Sequence, residues 1–371
     1  MTTRNCYLFA GGGTGGHLTP GLAVAAELVK CDSACRVVFA GSDRGLERKL
    51  LGAAGYEHYA LPVESSWMLR RNPVRFAWRN WRAFQMASRL VAQESPRAVI
   101  GLGGFASVPG VMASLRRGLP TVILEQNAVA GRATRFFNRR VGAVCVTFDE
   151  ARSRLAPDAR VFVTGNPVRE AIASLDGAGP PRDSARSRTL LILGGSQGAE
   201  SVNAAVLTLL ARRPCCLEGW QFVHQTGDSQ FAQMRSAYRD SGRPHVVEPF
   251  FDDLAGWYSR ATIAISRAGA TTLAELACAG CPAILLPYPH AADDHQLANA
   301  RIFESAGAAV VVAGDKAAPV AKERLSQAVE TLADSPERLF SMRKAMLGLA
   351  RPDATRKVCE VLQSVIARSM R

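Results

Sequence analysis

No stretch of this sequence has the length and purity of a membrane span. The nearest is Ala98 to Leu115, uncharged throughout, but four glycines and Pro109 interrupt it, which fits strand, loop and helix start instead of one spanning helix. A cleavable signal peptide is missing too: the polar start MTTRN gives way to an apolar stretch that breaks almost at once into glycines, so the chain is expected to stay in the cytoplasm. The nine cysteines are odd in number and irregular in spacing, make no disulfide framework, and suit reduced thiols. Cys278 and Cys281 form a C-x-x-C followed by His290 and His295, on paper a zinc-ligand set. The intervening PAILLPYP reads as a buried strand with three prolines, so two small buried thiols are expected there instead. There is also no D-x-D, the usual carboxylate pair for a diphosphate-bound metal, and metal-free chemistry is expected.

What remains is a folded chain of 371 residues, 48% hydrophobic and 21% charged, long enough for two domains. Its formal charge is +13 and its pI near 9.7. Such a surplus favours phosphorylated ligands, anionic lipid or nucleic acid.

Short apolar runs recur between helical stretches at CYLFA, at 36–41, 98–103, 121–125 and 143–148, without strict polar alternation. Parallel strands buried on both faces look like this, and the spacing leaves room for crossover helices. The plan restarts at TLLILGGSQGAESVNAAVLTLL, residues 189–210, with later strands at WQFVHQTG, HVVEPF, TIAISRAG and PAILLPYP. The fold class is therefore α/β, two Rossmann-like doubly wound parallel-sheet domains. DGAGPPRDSARSR, residues 176–188, suits an exposed loop, with the domain junction just before it, around TGNPVRE.

Gly-rich turns from strand to helix present unpaired N–H groups to an anion. Gly11, Gly13 and Gly16 satisfy G-x-G-x-x-G, the dinucleotide fingerprint, and Asp43 is a candidate ribose-binding acid, although further on than is usual. A tight packing turn with no ligand is the plainer reading. The turn SRAG, with Arg267, leads into a helix near Ala270, and Glu275 lies a turn and a half inside it, where a carboxylate can accept both hydroxyls of a ribose. The plainer reading of Glu275 is a solvated helix carboxylate. PYPHAADDHQLANA offers His290, Asp294, His295, Gln296 and Asn299 to a sugar beyond a strand end. Glu125, Gln126 and Asn127 stand at another strand end. His17, at the opening of the first helix, is the first candidate base and Glu125 the second; a helix N-terminus keeps a histidine neutral and proton-accepting. A helix cap is the plainer role for His17.

From Ser65 to Arg89 there are six arginines and no acid. On a helical wheel Val74, Ala77, Trp78, Trp81 and Phe84 share a face flanked by Arg75, Arg79 and Arg82, the pattern of an interfacial helix on anionic lipid. Arg132 to Arg140, around Phe136 and Phe137, extends the basic surface.

GGTGGHLTPGLAVA, LEQNAVAGRATR, VTGNPVR, GGSQGAESVN, EPFFDD, SRAGATTLAE and the H-x4-H-Q of 290–296 occur in one order that resembles the MurG family, GT-B enzymes of glycosyltransferase family 28. The resemblance implies two domains facing a central cleft, 1–168 and 169–346, with a C-terminal helix at 347–371 returning to the first. It implies inverting transfer of N-acetylglucosamine from UDP-GlcNAc to the muramoyl C4 hydroxyl of lipid I, an undecaprenyl-linked acceptor, giving lipid II for peptidoglycan. It further implies a peripheral place on the cytoplasmic face of the inner membrane, beside other cell-wall synthesis and division proteins. Thr14, Gly15 and Gly16 would meet donor sugar and acceptor diphosphate, Asn127 and Gln296 the sugar, and Arg169 and Ser196 the uridine-diphosphate portion. Phe251 would offer its backbone to uracil, and Ala270, Thr271, Thr272, Leu273, Ala274 and Glu275 would hold diphosphate and ribose. No cofactor is implied. Two positions depart from the family pattern: Phe105 stands where many members have tyrosine, and His295 where a glutamine is common.

Two other classes compete. An NAD-dependent oxidoreductase explains the fingerprint but leaves the second Gly-rich half unused. A basic nucleic-acid-binding module explains the charge, yet its arginines lie among tryptophans and no nucleic-acid motif is present.

Overall fold

The computed structural model describes residues 5–175, 188–195, 198–314 and 320–370. The linker expected at 176–187 and the expected donor ligand Ser196 lie outside the described residues. The chain divides into two compact units, Met1–Arg169 with Asp353–Arg371, and Glu170–Pro352.

The first unit is built on seven parallel strands: β1 (Cys6–Ala10), β2 (Arg36–Ser42), β3 (Glu57–Leu61), β4 (Ala98–Gly101), β5 (Thr121–Glu125), β6 (Ala143–Val146) and β7 (Val161–Val163). Their order across the sheet is β3-β2-β1-β4-β5-β6-β7. The direction of winding reverses between β1 and β4, and the loops leaving the carboxyl ends of these neighbours part to opposite faces, which opens a crevice for ligand. Both faces of the sheet are covered. Tyr7, Phe9, Phe39 and Ile100 pack toward the helix Gly15–Cys31 and the C-terminal helix Ala354–Ser369. Leu8, Val38 and Val99 pack toward Ala83, Ala87, Leu90 and Val91 of the helix Pro73–Glu94. The C-terminal helix lies so close to the sheet that a Cβ on Gly142 would come within 2.3 Å of Val365. It is a separate helix from Pro336–Leu349, and the segment belonging to the first unit begins at Asp353, later than the expected 347.

The second unit has six parallel strands: β8 (Thr189–Leu193), β9 (Gln221–Gln225), β10 (His245–Glu248), β11 (Ile263–Ser266), β12 (Ala283–Leu285) and β13 (Ala309–Val311), in the order β10-β9-β8-β11-β12-β13. Its switch point falls between β8 and β11. Leu190, Ile192, Phe222, Ile263, Ile265 and Ile284 form the buried centre.

Candidate active site

In the first unit the loop after β1 carries Gly11, Gly12 and Gly13 at φ of +130°, +147° and +87°, conformations that exclude ordinary side chains. Its shape serves a carboxylate of the protein itself. Glu47, 1% exposed, accepts hydrogen bonds from the Gly13 N–H and the Ser42 hydroxyl, and a Cβ on Gly12 would lie 2.5 Å from its Oε2. At least one N–H of the dinucleotide fingerprint is thus already engaged. Asp43, the candidate ribose acid, is solvent-exposed and ion-paired to Arg48 at 3.4 Å. Sequence reasoning overlooked Glu47, because GLERKLL reads as an ordinary amphipathic helix start.

Thr14 and Gly16 are exposed and Gly15 half-buried at the opening of the helix Gly15–Cys31. His17 is half-buried there, its Nδ1 2.9 Å from Thr14 Oγ1. The ring faces Gly104 of the loop after β4, where an added Cβ would approach His17 Cε1 to 3.4 Å. In the tautomer that carries its proton on Nδ1 and donates it to Thr14 Oγ1, Nε2 is the ring nitrogen with a lone pair to accept a proton. Glu125, at the end of β5, is 4% exposed and accepts from the Asn127 N–H (3.1 Å), the Gly131 N–H (2.8 Å) and the Thr134 hydroxyl (2.6 Å). Such a carboxylate organises the loop 126–131. Gln126 is buried and donates to the carbonyls of Leu102 and Leu124, while Asn127 is half-buried on the same loop. Arg169 is the last residue of the first unit's N-terminal segment.

In the second unit, Gln225 at the end of β9 donates to the Gly195 carbonyl (2.9 Å) and accepts from the Phe251 N–H (3.1 Å), joining the Gly-rich loop to the segment expected to meet uracil. The helix Ala270–Ala279 leaves β11 through Gly269. Its first amides, of Ala270, Thr271 and Thr272, lack intrahelical acceptors, whereas the Leu273 N–H already closes the first turn on the Gly269 carbonyl (3.0 Å). Leu273 is fully buried, and Thr272 and Ala274 are half-buried. Glu275 is not a solvated helix carboxylate: it is 5% exposed and accepts from the buried Tyr258 hydroxyl at 2.9 Å.

The residues 290–299 divide between internal hydrogen bonds and exposed positions. Asn299 is buried and donates to the Ala268 carbonyl (3.1 Å), bracing the loop ahead of Ala270. Gln296 accepts from the Tyr288 N–H (2.9 Å), His295 Nδ1 lies 2.7 Å from the Ala292 carbonyl, and His290 and Asp294 are exposed. Arg267 spends its guanidinium on the carbonyls of Leu286 and Pro287 and on the Ser201 hydroxyl, and burial lowers its pKa. Cys278 and Cys281 are buried, and among the described residues no three His, Cys, Asp or Glu are grouped to hold a metal ion.

The basic aromatic helix spans Pro73–Glu94, capped by the Asn72 side chain on the Arg75 N–H. Val74, Trp78 and Trp81 are 77%, 55% and 60% exposed, continuing an outer surface with Trp67 and Leu69 of the short helix Ser66–Arg71. Phe84 departs from the expected face: it packs against the core beside Ala83 and Ala87, with the Arg116 guanidinium over its ring. Arg75 and Arg79 both pair with Glu64, and Arg82 lies over Trp78. Phe136 is exposed under Arg140, while Phe137 is buried. No helix among the described residues is long and apolar enough to cross a membrane.

Comparison with known proteins agrees with this division. Residues 7–146 match the glycosyltransferase family 28 N-terminal domain and residues 189–358 its C-terminal domain. A Myxococcus xanthus protein, a UDP-N-acetylglucosamine--N-acetylmuramyl-(pentapeptide) pyrophosphoryl-undecaprenol N-acetylglucosamine transferase, is 37% identical over 98% of this chain and 93% of its own. A Syntrophotalea carbinolica protein of the same name is 39% identical over 96% of this chain and 98% of its own. The crystal structure of Acinetobacter baumannii MurG superposes with a TM-score of 0.75 at 30% identity, covering 97% of this chain and all of that one. The calicheamicin glycosyltransferase CalG4 shares the fold, with a TM-score of 0.62 at 17% identity over 98% of this chain and 99% of its own.

Proposed function

The chain belongs to glycosyltransferase family 28, in its MurG branch with the GT-B fold, and from that premise we propose how its residues divide the work. The reaction is the transfer of N-acetylglucosamine from UDP-N-acetylglucosamine to lipid I, giving lipid II. Neither the oxidoreductase nor the nucleic-acid reading gains support. The observation that carries the assignment is the match of both halves to relatives bearing that one activity over nearly their whole length.

Most of the residues suited to the donor belong to the second unit. The first-turn amides of Ala270, Thr271 and Thr272 suit the diphosphate, and Glu275, held by Tyr258, suits the ribose hydroxyls. Because Gln225 engages the Phe251 N–H, uracil would use the Phe251 carbonyl or displace that hydrogen bond. Gln296 and Asn127 would meet the sugar, with Arg169 and Ser196 on the uridine-diphosphate portion.

The acceptor belongs to the first unit. His17 takes the proton of the muramoyl C4 hydroxyl on Nε2 as that oxygen attacks the anomeric carbon; the bond to UDP breaks with its electron pair going to the diphosphate, and the anomeric centre inverts. The three donors on Glu125 favour His17 over Glu125 as base. The charge leaving with UDP is met by helix N-termini instead of a metal, a reading supported by the absence of any D-x-D. Trp67, Trp78 and Trp81, with Arg71 and Arg82 stacked on two of them, suit attachment to an anionic bilayer on its cytoplasmic side, where the acceptor lies.

Mass analysis of the product formed from UDP-N-acetylglucosamine and a short-chain lipid I analogue tests the assignment. A product heavier by one N-acetylglucosamine residue, dependent on both substrates, is expected; its absence with active donor binding would overturn the acceptor assignment.

A further inference from the structure

Arg44, the residue just ahead of the helix Gly45–Ala53, and Glu47, in its first turn, hold both backbone polar groups of Gly13 in the glycine loop. The Gly13 N–H donates to Glu47 Oε1, and the Gly13 carbonyl accepts from Arg44 Nη1 at 2.6 Å. We propose that Arg44 and Glu47 are positioning residues for glycosyl transfer: a clamp on Gly13 that holds Thr14 and His17 where the acceptor is deprotonated. The inference rests on the reading of His17 given above.

The clamp is built in, not incidental. Glu47 is 1% exposed and occupies a hole that two glycines leave open, since a Cβ on Gly12 or on Gly41 would lie 2.5 or 2.4 Å from its Oε2. A buried carboxylate is costly unless hydrogen-bonded or paired. Here Ser42 donates to Oε1, and the other oxygen, without a hydrogen bond among the described residues, faces His58 Nε2 at 3.6 Å. The carboxylate therefore stays in place only with the loop wrapped round it.

Two routes lead from the clamp to His17. Gly13 precedes Thr14, whose hydroxyl holds His17 Nδ1 at 2.9 Å. Arg44 also lies over the Phe105 ring, 5.9 Å from its centroid, and a Cβ on Gly103 or Gly104 of that loop would meet the His17 ring at 3.4 Å. Releasing Gly13 shifts His17 relative to the acceptor, while the residues suited to the diphosphate and ribose of the donor, Ala270 to Glu275, take no part in the clamp. Geometric loss of that kind falls on kcat, not on donor affinity.

The test compares Glu47→Ala, Glu47→Gln and Arg44→Ala with wild type and His17→Ala, using UDP-N-acetylglucosamine and a short-chain lipid I analogue, and follows hydrogen exchange in the peptide covering residues 11–18. Glu47→Ala is expected to lower kcat about 100-fold with donor KM within about threefold, and to speed exchange in that peptide. Glu47→Gln, which keeps a carbonyl acceptor for Gly13, should restore kcat to within about fivefold of wild type, and Arg44→Ala should cost about tenfold. Should Glu47→Ala fail to fold, the exposed Arg44→Ala and the near-isosteric Glu47→Gln carry the comparison. Unchanged exchange, an unchanged kcat, or a Glu47→Gln protein as inactive as Glu47→Ala would overturn the clamp. Full activity in His17→Ala would instead sink the base assignment, a separate failure.

Discussion

The Tyr258 hydroxyl donates to the Glu275 carboxylate at 2.9 Å, with both side chains buried. The contact fixes an acid inside the helix whose N-terminus is suited to a diphosphate. Tyr258→Phe removes the donor and leaves the carboxylate in place, so donor KM should rise about threefold to tenfold with kcat within about twofold, the signature of lost uniform binding. Initial-rate kinetics at saturating acceptor check this; an unchanged KM would remove Glu275 from the donor site.

A second relationship sets an acid limit on stability. His224 lies buried between Tyr238 (Nδ1 to hydroxyl oxygen, 3.1 Å) and Asn203 (Nε2 to Oδ1, 3.0 Å), and burial pulls its pKa from 6.5 down to about 3. The folded protein keeps this ring neutral, whereas the unfolded chain protonates it below pH 6.5. Stability from this group is therefore complete above pH 6.5 and is lost as pH falls toward 3, with a slope of up to about 1.4 kcal/mol per pH unit. Denaturant midpoints of the second unit's transition between pH 7 and 4 should fall more steeply in wild type than in His224→Gln; parallel curves would contradict the assignment.

Most of the sheet architecture is legible in the sequence, because β1, β2, β4, β5, β6 and β8 are buried on both faces and spell unbroken apolar runs. The strands that went unread are β3, β7 and β13, all at sheet edges and partly exposed, so EHYAL, VFV and AVV lack that signal. Candidate site residues can be named from the sequence wherever they follow directly on a glycine turn, as His17 and Ala270 to Glu275 do. The site was illegible where the role depends on a contact far along the chain. Glu47 acts on Gly13 across 34 positions, and Asn299 acts on Ala268 across 31. Phe84 misled for a related reason: a helical wheel sets the angle of a side chain but not how far the core extends around the helix.

Glycine at 198 is required by packing as well as by φ. Its φ is +75°, and a Cβ there would sit 2.5 Å from the Thr226 carbonyl oxygen. Gly198→Ala should destabilise the second unit by about 2 kcal/mol or more and weaken donor binding through the loop it deforms. Calorimetry with and without UDP would register both; an unchanged transition would contradict the packing argument.

The exposed tryptophans give a membrane prediction. Trp78→Ala with Trp81→Ala should lower partition onto vesicles rich in anionic lipid about tenfold or more, while the rate on a water-soluble acceptor stays within about twofold of wild type. Added salt should weaken wild-type binding, since part of the attraction is screened Coulomb interaction. Sedimentation with vesicles at two salt concentrations decides the matter, and equal binding of wild type and double variant would exclude this face.

Metal-free transfer with His17 as the base is open to a single kinetic experiment. UDP release from UDP-N-acetylglucosamine, measured with a short-chain lipid I analogue in EDTA for wild type and His17→Ala, tests it most directly. Acceptor-dependent release is expected to survive EDTA in wild type and to fall by about 100-fold or more in the variant, with donor binding intact. Release abolished by EDTA, or a His17→Ala protein as fast as wild type, would contradict it.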